Sequence, residues 1–294
     1  MSISIGQLLG RKKPKPTPDE EGRMTLVEHL RELRGRLLKS VIALIIMMIV
    51  AWQFYGVLFQ LLQHPLDTAV AAINATRDDL TVGVNWGNIS SPLMLQLKIT
   101  FVAALVAASP IWLYQLWAFI LPGLHKNERK WSLAFLGTAG PLFIIGVFVG
   151  YLAMPKGIQV LLSFTPILEE TTIKTQNLLD VSNMLDFILR LLIVFGLAFE
   201  IPVFVILLNL VGVLSAARLS KWRAPIIFFI FVFAAVATPS IDPFTMLMLA
   251  VPMSALFIIS ELIARLIDRR RKASLVAAGV DVEKIERAGE SKDD

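Results

Sequence analysis

Long uncharged stretches set the strongest limit on what this chain can fold into. No Asp, Glu, Lys or Arg occurs between residues 40 and 66, 99 and 125, or 131 and 155, and only Glu200 interrupts 191–217. Crossing the hydrocarbon of a bilayer takes about 20 mostly apolar residues, and a helix satisfies its own backbone polar groups there. The four stretches therefore predict spanning helices at 41–61, 99–125, 131–155 and 191–217. Two further apolar runs, 224–241 and 243–260, are joined through the turn PSIDP and predict a helical hairpin. Its helices reach only about 24–27 Å at 1.5 Å per residue, against about 30 Å of hydrocarbon. Either the bilayer thins there and the pair tilts little, or the pair is re-entrant. Two short spans are the preferred reading, so the expected fold is an all-α polytopic membrane protein with six transmembrane helices, the last two short.

Composition supports a lipid environment. Apolar residues make up 56% of the 294 and charged residues 17%, with a mean hydropathy of +0.69. Soluble domains carry about 45–50% and roughly 25%. The absence of cysteine removes disulfides, thiolate nucleophiles and Cys-based metal sites. His29, His64 and His125 lie far apart in sequence and form no metal-binding or triad pattern. The expectation is a chain without metal or cofactor, with little to draw on for redox or metal catalysis, in contact with membrane lipid and with no nucleic-acid partner.

The cations fix an orientation. Of 28 Lys and Arg, 23 fall before the first span, at 126–130, at 218–223, or from Arg265 onward, whereas the alternate loops hold only Arg77, Lys156 and Lys174. By the positive-inside rule both termini are expected in the cytoplasm, which requires an even number of spans. The first apolar run begins near residue 41 behind a long basic segment, so no cleavable signal peptide is expected. Residues 1–23, with PKPTPDEEG, and the polar segment 268–294 are expected as disordered cytoplasmic tails around a membrane domain at 24–267. No internal repeat is visible.

Three places offer chemistry. In MTLVEHLRELRGRLLK, residues 24–39, Leu26, Leu30, Leu33 and Leu37 form one apolar stripe, with Glu28, Arg31, Glu32 and Arg36 off it. Thr25 and Glu28 have the spacing of a capping box, so an amphipathic helix is expected at the membrane interface. It can serve as a generic anchor in which Glu32 pairs with Arg36 at i,i+4. In LPGLHKNERK, residues 121–130, Glu128 is the lone acid among Lys126, Arg129 and Lys130. Glu200 lies near the middle of the fourth span, where a carboxylate costs several kcal/mol unless it is neutral, paired or wet. Pro202, two residues on, frees a backbone carbonyl and can kink the helix. Asp242, in the hairpin turn, reads from its position as a turn or cap residue. Gly137, Gly140, Gly146 and Gly150 permit close helix contacts, within the chain or with a partner.

The blocks HLRELRGRL (29–37), SPLMLQLKITF (91–101), YQLWAFILPGLHKNER (114–129), FGLAFEIPV (195–203) and ATPSIDPFTMLMLAVPM (237–253) resemble the signature segments of the TatC family, the multispanning component of the twin-arginine protein translocase. The resemblance runs from about Met24 to Arg265. Asn127 and Lys130 depart from residues often found in the family, and the C-terminal tail is longer than in many members.

The resemblance implies a receptor that recognises signal peptides carrying two consecutive arginines. Glu32 and Glu128 match the implicated cytoplasmic acids; Arg34 or Arg129 would orient them, and Phe119 would supply apolar contact. Guanidinium pairs bidentately with carboxylate where ammonium is a point charge, so two spaced acids can select Arg-Arg over Lys-Lys. It further implies export of folded proteins driven by the proton-motive force in the bacterial plasma (inner) membrane. The implied partners are TatA- and TatB-type single-span subunits, with homo-oligomerisation within the complex. Glu200, with Pro202 and Asp242, would form an intramembrane functional or partner-docking region, Glu200 facing a concave, lipid-accessible cavity. Two other classes compete. A proton-coupled transporter would use Glu200 as its proton site but needs further facing acids or discontinuous helices. A membrane hydrolase needs a nucleophile and base at matched depth.

Overall fold

The computed structural model describes residues 26–75, 80–85, 89–120, 129–165, 175–210, 212–238 and 242–277. They form ten helices and two short strands. Helix α1 (Leu26–Gln53) runs unbroken for 28 residues, about 42 Å at 1.5 Å per residue, so the amphipathic segment and the first span are one helix. Leu30, Leu33 and Leu37 point away from the rest of the chain, at 63, 38 and 60% exposure. Thr25 and the Glu28 side chain lie outside the described residues.

The first span ends eight residues earlier than expected. The chain turns at Phe54 into α2 (Tyr55–Asn74). The turn lets Leu62, Leu66, Ala69 and Ile73, one stripe of α2, enter the main core with Met154, Ile158 and Leu162. The Tyr151 hydroxyl donates to the Leu61 carbonyl at 3.0 Å and ties α2 to the next long helix.

Strands β1 (Leu80–Asn85) and β2 (Thr175–Asp180) pair in parallel, Leu80 opposite Thr175 and Asn85 opposite Asp180. This ribbon is a local addition to an otherwise helical chain, which keeps the expected all-α class. Its strands belong to loops almost a hundred residues apart, and neither six-residue segment carries a strong alternating pattern by which sequence alone reveals a strand.

The stretch expected as one span at 99–125 begins earlier and is bent. Helices α3 (Ser91–Ala107) and α4 (Ser109–Ile120) meet at 60° around Ala108. Pro110 has no N–H to give the preceding turn, and the Trp112 indole N–H donates to the Leu105 carbonyl at 2.9 Å beside the bend. Helix α5 (Arg129–Ser163) packs into that bend, and a Cβ on Gly140 would stand 3.2 Å from Pro110 Cα.

Helices α6 (Val181–Ala198) and α7 (Ile201–Leu210) make the next apolar pass, interrupted at Phe199–Glu200. The seam between α5 and α6 is built on absent side chains: a Cβ on Gly146 would meet the Phe195 carbonyl at 2.7 Å, and one on Gly196 the Phe143 ring at 2.8 Å. Gly146 and Gly150 thus serve packing within the chain, while Gly137 has nothing within 4 Å of an added Cβ.

A short α8 (Ala216–Lys221) leads into α9 (Arg223–Ala237), and α10 (Pro243–Ala277) completes the hairpin. The helix continues to Ala277, so the tail expected from 268 begins inside α10. By length and composition four helices or helix pairs are able to cross a membrane, the bent α3–α4 pair makes a fifth, and α9 is a shorter apolar helix of 15 residues. The start of α1 meets the end of α4 through His29 and Phe119, and the end of α7 meets α10 through Asn209 and Asp268.

Candidate functional site

Helix α1 packs against α3 and α4. The His29 ring stacks on Phe119 with centroids 4.4 Å apart and planes 21° from parallel. Glu32 lies three residues beyond His29 and Arg36 four beyond that, a spacing that keeps all three on one side of α1. Arg36 donates to Glu32 Oε1 through Nε at 3.0 Å and Nη2 at 2.5 Å. Oε2 is shielded from solvent and has no hydrogen-bond partner among the described residues. One oxygen of the carboxylate is therefore fixed by its own helix, while the other accepts from no group among the described residues. Arg34 is exposed, so the cation that orients Glu32 is Arg36. Glu128 and the Arg129 side chain lie outside the described residues.

Glu200 sits at the break between α6 and α7. Pro202 cannot donate to the Ala198 carbonyl, and the turn tightens so that Glu200 N–H donates to the Leu197 carbonyl, three residues back, at 3.1 Å. The side chain is buried, at 8% exposure. Neither carboxyl oxygen has a hydrogen-bond partner among the described residues, and neither does the buried Trp117 indole N–H. The two side chains interact electrostatically but fall short of hydrogen-bond geometry. The surroundings are apolar: Leu113, Phe143, Val203 and Leu207 cluster with Trp117, whose ring lies 6.0 Å from that of Phe204. An acid and an indole donor, each unsatisfied in an apolar cluster, make the most anomalous polar site in the described bundle. Trp117 was not singled out by sequence reasoning, although it stands in the same WAF block as Phe119.

Asp242 is committed to its own helix. Its Oδ1 accepts from the Thr245 N–H at 2.7 Å and Oδ2 from the Thr245 hydroxyl at 2.6 Å, which caps the start of α10.

Charged residues that sequence reasoning passed over also pin helices together. Lys98 Nζ donates to Asp186 at 2.6 Å between α3 and α6. Asp268 accepts from Asn209 Nδ2 at 3.0 Å and from the Ala216 N–H at 2.7 Å, fastening the end of α7 and the start of α8 to α10. Glu261, 2% exposed, is held by two arginines, Arg223 of α9 and Arg265 of α10. An acid one turn before a basic helix end was the available signal for Glu261 and Arg265; Asp186 and Lys98 gave none, being 88 residues apart. No group of three or more metal-type ligands occurs among the described residues.

The family model described as TatC, Sec-independent protein translocase protein (TatC), matches residues 28–252. A Sec-independent protein translocase protein TatC from Frankia casuarinae is 42% identical over 254 residues, 85% of this chain and 68% of the relative. Another from Xylanimonas cellulosilytica is 36% identical over 261 residues, covering 88% of this chain and 90% of the relative. A crystal structure of a twin arginine translocase receptor, TatC, superposes with a TM-score of 0.66 at 30% identity, over 80% of this chain and 99% of that one.

Proposed function

This chain belongs to the TatC family of Sec-independent protein translocase proteins, and from that premise we propose that it is the receptor subunit of a twin-arginine translocase, binding twin-arginine signal peptides on its cytoplasmic face. A multi-pass membrane protein with a transport role is the frame that family and helices share. The observation that carries the finer reading is the half-used Glu32 carboxylate beside the His29–Phe119 stack. A buried carboxylate oxygen without a donor costs free energy that an incoming guanidinium recovers. Arg36 presets the carboxylate plane, so the signal's arginine meets an oriented acceptor and little side-chain entropy is lost on binding. Phe119 offers apolar surface next to it for the hydrophobic part of the signal. Glu128, in the loop that follows α4, is the second acid of the pair, and Arg129 borders it.

In this reading both termini are cytoplasmic, six passes cross the bacterial plasma membrane, and α9 and α10 are the short final pair. Glu200, Pro202 and the hairpin turn at Asp242 form the region where single-span TatA- and TatB-type subunits dock, and several copies assemble in the complex. The proton-motive force drives transport of folded cargo. The buried Glu200 supports a docking role more than a proton relay, because Trp117 and apolar side chains surround it.

Co-purification with a synthetic signal peptide in Arg-Arg and Lys-Lys forms tests the receptor role. The Arg-Arg form is retained and the Lys-Lys form is washed away. Equal retention of the two removes the reading.

A further inference from the structure

The inner charge network of the final hairpin has an odd positive charge. Arg223 donates from Nε to Glu261 Oε2 at 2.9 Å and from Nη2 to Oε1 at 2.7 Å. Arg265 Nη2 donates to the same Oε1 at 2.6 Å and to the Ser220 hydroxyl at 3.0 Å. One carboxylate, 2% exposed, thus neutralises one of two guanidinium groups, while the arginine side chains keep 45 and 42% of their surface open. Guanidinium carries five donors in a planar fork, and the edges turned away from Glu261 remain available to a second anion.

Two further features describe that anion. Lys221 and Arg269 are both exposed, Lys221 next to Ser220 in α8 and Arg269 one turn beyond Arg265 in α10. The anion therefore enters a field in which Arg223, Arg265, Lys221 and Arg269 outnumber the acids Glu261 and Asp268. Trp222, 58% exposed, heads α9, and Phe229, Phe233 and Val236 follow at seven, eleven and fourteen residues, all exposed. That spacing places the ring and the three side chains on one side of the helix. Trp prefers the headgroup level of a bilayer, with apolar surface on its lipid side. The site thus joins a cationic fork to an apolar track at the point where a membrane helix leaves the hydrocarbon.

We propose that Arg223 and Arg265, held side by side by Glu261, bind the phosphate of an anionic phospholipid whose acyl chains lie along the exposed face of α9. The buried carboxylate is a positioning residue: it spaces the two guanidinium groups and leaves their outer edges to the lipid. The charge balance favours a headgroup of net negative charge over a zwitterionic one, because the latter's ammonium meets Lys221 and Arg269.

The test uses the full chain purified in uncharged detergent and exposed to equal amounts of dioleoyl phosphatidylglycerol and dioleoyl phosphatidylcholine, with bound lipid counted by native mass spectrometry. The expected result is preferential retention of phosphatidylglycerol. Lys221→Gln and Arg269→Gln, which leave the Glu261 network intact, each reduce the preference about fivefold. The double variant Arg223→Lys and Arg265→Lys keeps the charges but removes the forks, and loses most of the preference while its thermal midpoint shows a folded protein. Inorganic phosphate, added as a competitor, leaves the lipid in place. Equal retention of the two lipids, or an unchanged preference in the two Gln variants, overturns the proposal. Displacement by inorganic phosphate also overturns it, because the site then holds a bare anion and the apolar track has no part.

Discussion

Glu200 and Trp117 are the residues where side-chain chemistry and surroundings disagree most. Both carry buried polar atoms with no hydrogen-bond partner among the described residues, and an unpaired buried polar group costs about 1–3 kcal/mol. If Glu200 receives a polar group from a partner helix, Glu200→Gln keeps donor, acceptor and shape and retains most export of a folded twin-arginine reporter. Glu200→Ala leaves the partner's group unsatisfied and lowers both export and crosslinking to TatA-type subunits. If Glu200 relays protons, Gln is as damaging as Ala, since neither titrates near neutral pH. Loss of export in the Gln variant with partner contact intact contradicts the docking role. The acid itself was legible in the sequence as the one charge in an apolar stretch of 27 residues. Its inward direction was not, because burial is set by the α4 and α5 side chains that close over it. The same holds for Glu32: the i,i+4 spacing announced the pair with Arg36, but only the packed helices show that the second oxygen is shielded.

Among the elements, the α5–α6 seam depends on glycine at Gly146, Gly150 and Gly196. A methyl at Gly146 collides with the Phe195 carbonyl and the Phe199 side chain, backbone and packed ring that have little room to move. Overpacking of this kind costs about 1–3 kcal/mol. Gly146→Ala is therefore expected to lower the thermal midpoint in detergent, whereas Gly137→Ala, with nothing within 4 Å, leaves it unchanged. Equal midpoints for the two variants contradict the seam. The break at Glu200 was legible through Pro202, whereas Pro110 beyond the bend at Ala108 gave no distinguishing signal, because Pro65, Pro141, Pro155 and Pro252 stand inside helices that continue. The turn at Phe54 carries no comparable signal in an uncharged run from 40 to 66, and it arises because α2 gains a buried face on α5. The ribbon was invisible for another reason: parallel pairing of two loops is a tertiary event, and six residues on each side leave too short a pattern.

Over the whole molecule, hydropathy and the asymmetry of Lys and Arg are the two properties that fix arrangement, and both are written in the sequence. Reporter fusions after residues 20, 127, 220 and 280 are expected to read cytoplasmic and those near 78, 172 and 241 external. An external reading at 280 removes the six-pass topology. The sequence also showed the family through separated blocks in order, whereas the pairing of buried Glu261 with Arg223 and Arg265 is visible only in the packing of α9 on α10. The central claim is that the half-used Glu32 carboxylate beside Phe119 receives a signal-peptide arginine. It is tested most directly by crosslinking a photoreactive twin-arginine signal peptide to the full protein in membranes, comparing wild type, Glu32→Ala and the double variant with Glu128→Ala. Losing a charge-assisted hydrogen bond, at about 1.5–3 kcal/mol, weakens capture about ten- to a hundredfold. The account predicts that loss for Glu32→Ala, a deeper one for the double variant, and normal accumulation of both proteins; undiminished crosslinking in the double variant contradicts it.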